Sequence, residues 1–142
     1  MIGHMFLMVW EKYWFYRASA CNCNSLYSGF QQLAGGATLL YANSGTDTSF
    51  MRLNNSPPAG VMFAGWDASL PAIGSAVVGI HHPSGDLQKI SFGTLDAYES
   101  CVPDSARNYS CDSNVSSSLA DHYSVVWSSG ITQGGSSGSG LF

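Results

Sequence analysis

The stretch that decides the fold class is SAVVGIHHPSGDLQKISFGTL, residues 75–95. On both sides of HPSGD, β-branched and aromatic residues recur with a period of two, which is typical of a half-buried strand. HPSGD itself supplies proline, glycine and aspartate, the residues that turns favour. The pattern predicts two strands, 75–82 and 88–95, separated by a turn.

The same period extends outward in both directions. Turn signals such as NSGTD and NNSPPAG punctuate it, and no window holds the i, i+3, i+4, i+7 spacing of an amphipathic helix. Further strands are predicted at 12–18, 37–43, 48–54, 61–67 and 123–129, with the polar stretch 100–120 as a loop. We therefore expect an all-β fold, a Greek-key sandwich or barrel.

Composition excludes several classes of protein. The 142 residues are 45% hydrophobic and only 10% charged, which indicates a folded chain. Five Lys and Arg residues and a net charge of -4 offer no basic patch to nucleic acid. The apolar run MFLMVW is too short to span a bilayer and lacks the flanks of a signal peptide. We expect no nucleic-acid or membrane partner and no cofactor, and no motif sets an oligomeric state.

The four cysteines are Cys21, Cys23, Cys101 and Cys111. They allow three full pairings, and the sequence selects none of them. A Cys101–Cys111 bond within the polar loop is one candidate. The spacing does not suit zinc, and an even number of cysteines in Ser- and Asn-rich loops is typical of a secreted protein.

The run GGSSGSGLF, residues 134–142, has the composition of a flexible linker. It nevertheless follows the strand pattern HYSVVWSS closely and ends in Leu-Phe, which favours strand, turn, strand. Within such a turn Ser137 is a candidate nucleophile. Glycines permit positive φ there, and two backbone N–H groups can stabilise an oxyanion.

A second candidate, Asp47, lies at the mouth of the predicted strand 48–54. A strand mouth can hold an aspartate rigidly enough to orient a catalytic histidine. The position after NSG also suits an aspartate that merely caps a turn. Both interpretations remain open from the residues alone.

Four segments together resemble the bacterial lysyl endopeptidase-like branch of the chymotrypsin-fold serine proteases. They are YWFYR (13–17), GGATLLYANSGTDTSFMRLNNSPPAGVMFAGWD (35–67), VVGIHHPSGDLQKISFG (77–93) and VVWSSGITQGGSSGSGLF (125–142), with IHHPSGD the most branch-specific piece. The resemblance implies a partial double Greek-key β-barrel, truncated at both ends. Residues 1–12 would be a leader or cloning scar, 13–69 part of a first barrel, and 70–142 part of a second.

The resemblance also implies a secreted bacterial serine endopeptidase acting on polypeptides. Ser137 would be the nucleophile that forms an acyl-enzyme, and the N–H groups of Gly135 and Ser137 would form the oxyanion hole. Asp47 would orient the histidine. The motifs D-T-S-F-M-R-L and G-G-S-S-G-S-G, in that order, carry this assignment.

The histidine itself is missing from its family position, an alanine-alanine-histidine-cysteine motif before YWFYR. His4, the only histidine before Asp47, has different neighbours and is a weak candidate. His81 and His82 are expected to be structural or at the rim, one on each face of a strand. His122 is expected to be exposed to solvent. We therefore expect no detectable hydrolysis by this chain alone.

Specificity cannot be assigned to Lys, Glu or an apolar residue. Trypsin-like members carry an acid six residues before the nucleophile, where this chain has Ile131. Thr132 is expected to line the pocket, and Trp127 either borders the cleft or packs in the core. The alternative function is a non-catalytic β-domain or protease homologue that binds peptide or carbohydrate through its aromatic residues.

Overall fold

The computed structural model describes residues 11–105 and 108–142, which form eight β-strands and one 3₁₀ turn. The strands are β1 (Glu11–Trp14), β2 (Gln31–Ala34), β3 (Ala37–Asn43), β4 (Thr48–Leu53), β5 (Ala76–His81), β6 (Lys89–Pro103), β7 (Tyr109–Asp112) and β8 (His122–Ser129), and the 3₁₀ turn is Pro83–Gly85. The all-β prediction is confirmed. Within the described ranges, no helix is long and apolar enough to cross a bilayer.

The strands form three antiparallel sheets. β1 pairs with β2 and β3 with β4, whereas β5, β6, β7 and β8 form one four-stranded sheet. β6 is its centre: its first part lies between β5 and β8, and its last residues pair with β7. Among the described strands, no pairing joins β1–β4 to β5–β8.

Most predicted strands are present. β3 has the predicted bounds, β4 and β8 differ from theirs by one residue at one end, and β5 is one residue shorter at each end. The first strand is shorter than 12–18, because Phe15 has a φ of 56° and breaks the extended backbone after Trp14. These strands were predictable because their alternation and turn residues are local signals.

Three predictions failed, each where pairing outweighs local pattern. Residues 61–67 are irregular, with Met62 93% and Trp66 89% exposed, so their β-propensity finds no partner strand. β2 was not predicted, and it forms by pairing with β1. β7 lies in the stretch 100–120 that was interpreted as a loop, and β6 extends into that stretch to pair with it.

The buried core of the described residues is small and lies in the four-stranded sheet and in the segment between the 3₁₀ turn and β6. Its apolar members are Val77, Leu87, Leu95 and Cys101. Trp127 packs across the sheet where side chains are absent: a Cβ added to Gly79 would lie 2.8 Å from its indole ring. The aromatic ring is therefore accommodated by a glycine on β5, across β6 from its own strand β8.

The β3–β4 hairpin leaves much apolar surface uncovered. Leu39, Leu40, Tyr41 and Phe50 are each at least half exposed. An isolated two-stranded hairpin is at best marginally stable. One tie to the larger sheet is the Tyr109 hydroxyl, which donates to the Ser44 carbonyl oxygen at 2.6 Å.

A disulfide joins Cys101 of β6 to Cys111 of β7. The structure thus selects the candidate pairing within the 100–120 stretch. Cys21 and Cys23 are free thiols. Cys101 and Cys111 are also direct partners in the β6–β7 ladder, so the bond fastens β7 to the end of β6.

Reduction of this disulfide is expected to lower the free energy of unfolding by about 2 to 3 kcal/mol, because the cross-link restricts the unfolded chain. Urea unfolding with and without reductant measures the change. The double variant Cys21→Ser, Cys23→Ser is the control and should keep the full reductant effect. An unfolding curve that reductant leaves in place would contradict the expectation.

Candidate functional site

The run 134–142 is a folded turn and not a linker. After β8 the chain bends and returns to β5, where Leu141 forms a bridge with Gly79. Val78 and Phe142 exchange two backbone hydrogen bonds, of 2.7 and 2.9 Å. The predicted strand and turn are therefore present, whereas the returning segment forms a single bridge and not the predicted second strand. Both ends of the turn are fixed on the four-stranded sheet.

The backbone of this turn needs its glycines. Gly135 has a φ of 95° and Gly138 one of 81°, in the left-handed region that side chains disfavour. The Ser136 N–H donates inward to the Gln133 carbonyl at 2.9 Å. By contrast, the N–H groups of Gly135 and Ser137 donate to no group that the structure describes.

The 3₁₀ turn of IHHPSGD packs against the serine turn, residues 134–140. The Ser84 N–H donates to the Gly134 carbonyl at 2.7 Å. A Cβ at Gly135 would lie 3.1 Å from the His82 carbonyl oxygen and 3.3 Å from the Ser84 and Gly85 nitrogens. The two turns therefore pack backbone against backbone, with little room for a side chain.

Ser137 is exposed and borders an open depression. Thr132, Gln133, Gly134 and Ser136 line the depression with it, over a volume of about 470 Å³. The Thr132 hydroxyl accepts a hydrogen bond of 3.3 Å from the half-buried Trp127 indole, and its place in a specificity pocket stays a prediction. Ile131 is exposed. An extended substrate could reach the Ser137 hydroxyl from this side.

Asp47 lies elsewhere, in the exposed turn of the β3–β4 hairpin with a φ of 48°. Its neighbour is Tyr109, whose pKa is raised by desolvation and, second, by the Asp47 carboxylate. Tyr109 pairs with Pro103 at the end of β6, whereas the Ser137 turn packs near the start of that strand. The contacts described here do not join Asp47 to Ser137.

The described histidines are engaged with other partners. His81 is buried between two serines, and His82 is half-buried, with its Nδ1 3.0 Å from the Asp86 carbonyl oxygen. His81 is thus buried and His82 partly exposed, and their structural roles stay a prediction. His4 lies outside the described residues.

The prediction that His122 is exposed to solvent needs correction. Its ring is only partly exposed and lies 2.7 Å from the Asp121 carboxylate. The hydrogen bond from His122, followed by one from the Cys101 N–H, lowers the pKa of Asp121. Alternation along β8 could not reveal this contact, because Asp121 precedes the strand.

Metal-ligand types cluster only around the disulfide in the described part of the chain. Glu99, Cys101 and Cys111 form one group, and Cys101, Asp121 and His122 another, each with potential ligand atoms within 4.8 Å of one another. Both sulfurs are in the disulfide and present no thiolate to a cation. The residues therefore do not suit a metal in this state.

Comparison with known proteins identifies similar sequences. The family model described as lysyl endopeptidase, C-terminal domain, matches residues 6–142. A lysyl endopeptidase of Pseudomonas aeruginosa is 35% identical over 133 residues, which are 92% of this chain. The chain spans 26% of the length of that relative. No solved structure matches the present chain.

Proposed function

Because this chain belongs to the lysyl endopeptidase C-terminal domain family, we propose that it carries the nucleophile of a serine endopeptidase. The Ser137 oxygen attacks a peptide carbonyl carbon while a base takes the hydroxyl proton. The C–N bond then breaks, the amine leaves with that proton, and water hydrolyses the acyl ester. The substrate is a polypeptide.

One observation carries the proposal: an exposed serine flanked by two N–H groups without a partner in the described chain. Ser136 turns its N–H inward to Gln133, while Gly135 and Ser137 keep theirs unpaired. Two preorganised donors beside a nucleophile can stabilise a developing oxyanion. The adjoining depression gives the substrate access.

The proposed role of Asp47, to orient the base, rests on the sequence resemblance. The base is a histidine other than the three described ones, since none of the contacts of His81, His82 or His122 is with Ser137. Family order places it before the YWFYR segment.

We extend the proposal to the architecture and the compartment. Residues 13–69 would belong to a first Greek-key barrel and residues 70–142 to a second. In the described structure, strands β1–β4 pair only among themselves, as two hairpin-like pairs, and strands β5–β8 pair only among themselves, which supports that division. The Cys101–Cys111 disulfide supports secretion, because such bonds persist in oxidising compartments.

The test is covalent labelling with a small organophosphonate. We expect no label on this chain alone. We expect label at Ser137 when the chain is fused behind the segment of the Pseudomonas aeruginosa relative that precedes its matching region. That segment is expected to supply the base that activates the hydroxyl. Peptide mapping by mass spectrometry locates the label.

The matched controls are two serine variants of the fusion. Ser137→Ala should abolish labelling, and Ser139→Ala, two residues away in the same turn, should retain it. A folded fusion that takes no label at Ser137 would refute the proposal and favour the non-catalytic β-domain.

A further inference from the structure

Within the described residues, three buried polar side chains are linked by hydrogen bonds, and no step of the proposed reaction uses them. The three side chains come from different segments: Ser91 of β6, His81 of β5 and Ser136 of the serine turn. Ser91 and His81 are each 1% exposed and Ser136 is 8% exposed. Polar groups this buried are costly unless they are paired, so the arrangement calls for a reason.

The pairing is complete at the imidazole ring. His81 Nδ1 lies 2.9 Å from the Ser136 hydroxyl, and His81 Nε2 lies 2.9 Å from the Ser91 hydroxyl. The Ser136 oxygen also accepts the Gln133 N–H at 3.2 Å. The imidazole therefore links the core strand β6 to the turn through two hydrogen bonds.

Burial indicates which ring nitrogen carries the proton. A neutral imidazole has one donor and one acceptor nitrogen. With the proton on Nδ1, Ser136 accepts from His81 and Gln133, and Ser91 donates to Nε2. The hydroxyl hydrogen without a protein acceptor is then that of Ser136, which borders the open depression. The other tautomer would leave it on the more deeply buried Ser91.

Ser136 is also the only buried residue of the turn within the described chain. Its neighbours on each side, Gly135 and Ser137, carry the two unpaired N–H groups. Rotation of the backbone at Ser136 would therefore change the direction of one donor relative to the other. A side-chain anchor at this residue fixes the direction in which the donors point.

We propose that His81 is a positioning residue whose hydrogen bond to Ser136 holds the Gly135 and Ser137 N–H groups on one point. The catalytic importance of this hydrogen bond rests on the proposed function, whereas its effect on the direction of the two N–H groups does not. Ser91 orients the ring from the core. His81 touches neither the substrate nor the reacting atoms.

Two variants separate this role from simple core filling. In His81→Asn the amide nitrogen can take the place of Nδ1 and keep the bond to Ser136. In His81→Gln the longer amide reaches the position of Nε2 and keeps the bond to Ser91. If His81 only filled space, the larger glutamine would be the better replacement.

The first measurement uses the complete 142-residue chain and nuclear magnetic resonance. We expect the amide signals of Gly135 and Ser137 to stay close to those of the unmodified chain in His81→Asn and to move clearly in His81→Gln. Nitrogen-15 shifts of the ring should show the proton on Nδ1. Equal displacement in both variants, or a larger one in His81→Asn, would overturn the proposal.

The second measurement uses the labelled fusion. His81→Gln should lower the maximal rate constant of Ser137 phosphonylation about tenfold or more while reagent affinity stays within about twofold, because donor alignment acts on the charged transition state. His81→Asn should restore most of the rate. Without label on the unmodified fusion the endopeptidase proposal fails, and the amide signals still decide the role of His81.

Should both histidine variants unfold, Ser136→Ala removes the same hydrogen bond with a loss of one oxygen. It should displace the Gly135 and Ser137 signals, whereas Ser139→Ala should not. Unmoved signals in a folded Ser136→Ala chain would equally overturn the proposal.

Discussion

Leu95→Ala should leave the chain without a cooperative unfolding transition. Leu95 is 2% exposed and is the largest fully buried apolar side chain in the described structure. Truncating a buried leucine costs about 2 to 5 kcal/mol. The apolar core has few members, so a loss of this size is expected to exceed what the fold can tolerate. Urea titration followed by far-ultraviolet circular dichroism measures it.

Leu119→Ala is the matched control, with the same chemistry at a side chain that is 71% exposed. Its free energy of unfolding should change by less than about 0.5 kcal/mol. Similar small changes in both variants would mean that the four-stranded sheet does not depend on Leu95. Its position as the centre of the core would then be wrong.

Gly135→Ala should lower phosphonylation of Ser137 in the fusion about 100-fold, the scale of losing one oxyanion donor. Alanine is strained at the observed φ of 95°, and its Cβ would press on backbone atoms of His82, Ser84 and Gly85. Backbone atoms held by a 3₁₀ turn cannot move aside as a flexible side chain can. The serine turn must therefore shift.

Two neighbouring glycines divide this effect into its causes. Gly138 also has a positive φ, but a Cβ there meets nothing within 4 Å. Gly134 has no positive φ, and a Cβ there also meets nothing within 4 Å. Gly138→Ala should show the conformational cost alone, and Gly134→Ala almost none. Equal rates in Gly135→Ala and Gly138→Ala would show that contact with the 3₁₀ turn is unimportant.

The sequence predicted what local signals determine. Alternation and turn residues located β3, β4, β5 and β8, because each of these strands has its own period and punctuation. Residues 61–67 had the right composition and no partner, and β7 had a partner without the composition. Pairing between strands is a property of the whole chain and leaves little trace in a short window.

In the candidate site, too, the sequence predicted the local features and missed the contacts between distant residues. The GGSSGSGLF pattern indicated a turn with Ser137 exposed on it, and the structure has that turn. The bond between His81 and Ser136 spans 55 residues, and no spacing rule reports such a contact. The roles of Asp47 and of the missing histidine stay predictions, since they depend on elements that the described contacts do not join to Ser137.

The two backbone hydrogen bonds between Val78 and Phe142 have a consequence for the order of assembly. Closing so long a loop costs entropy, and its contacts become favourable only after the strands between them have paired. We therefore expect the Ser137 hydroxyl to acquire its surroundings late in folding. A nascent or partly unfolded chain would expose an ordinary serine, and any reactivity would emerge only with the finished sheet.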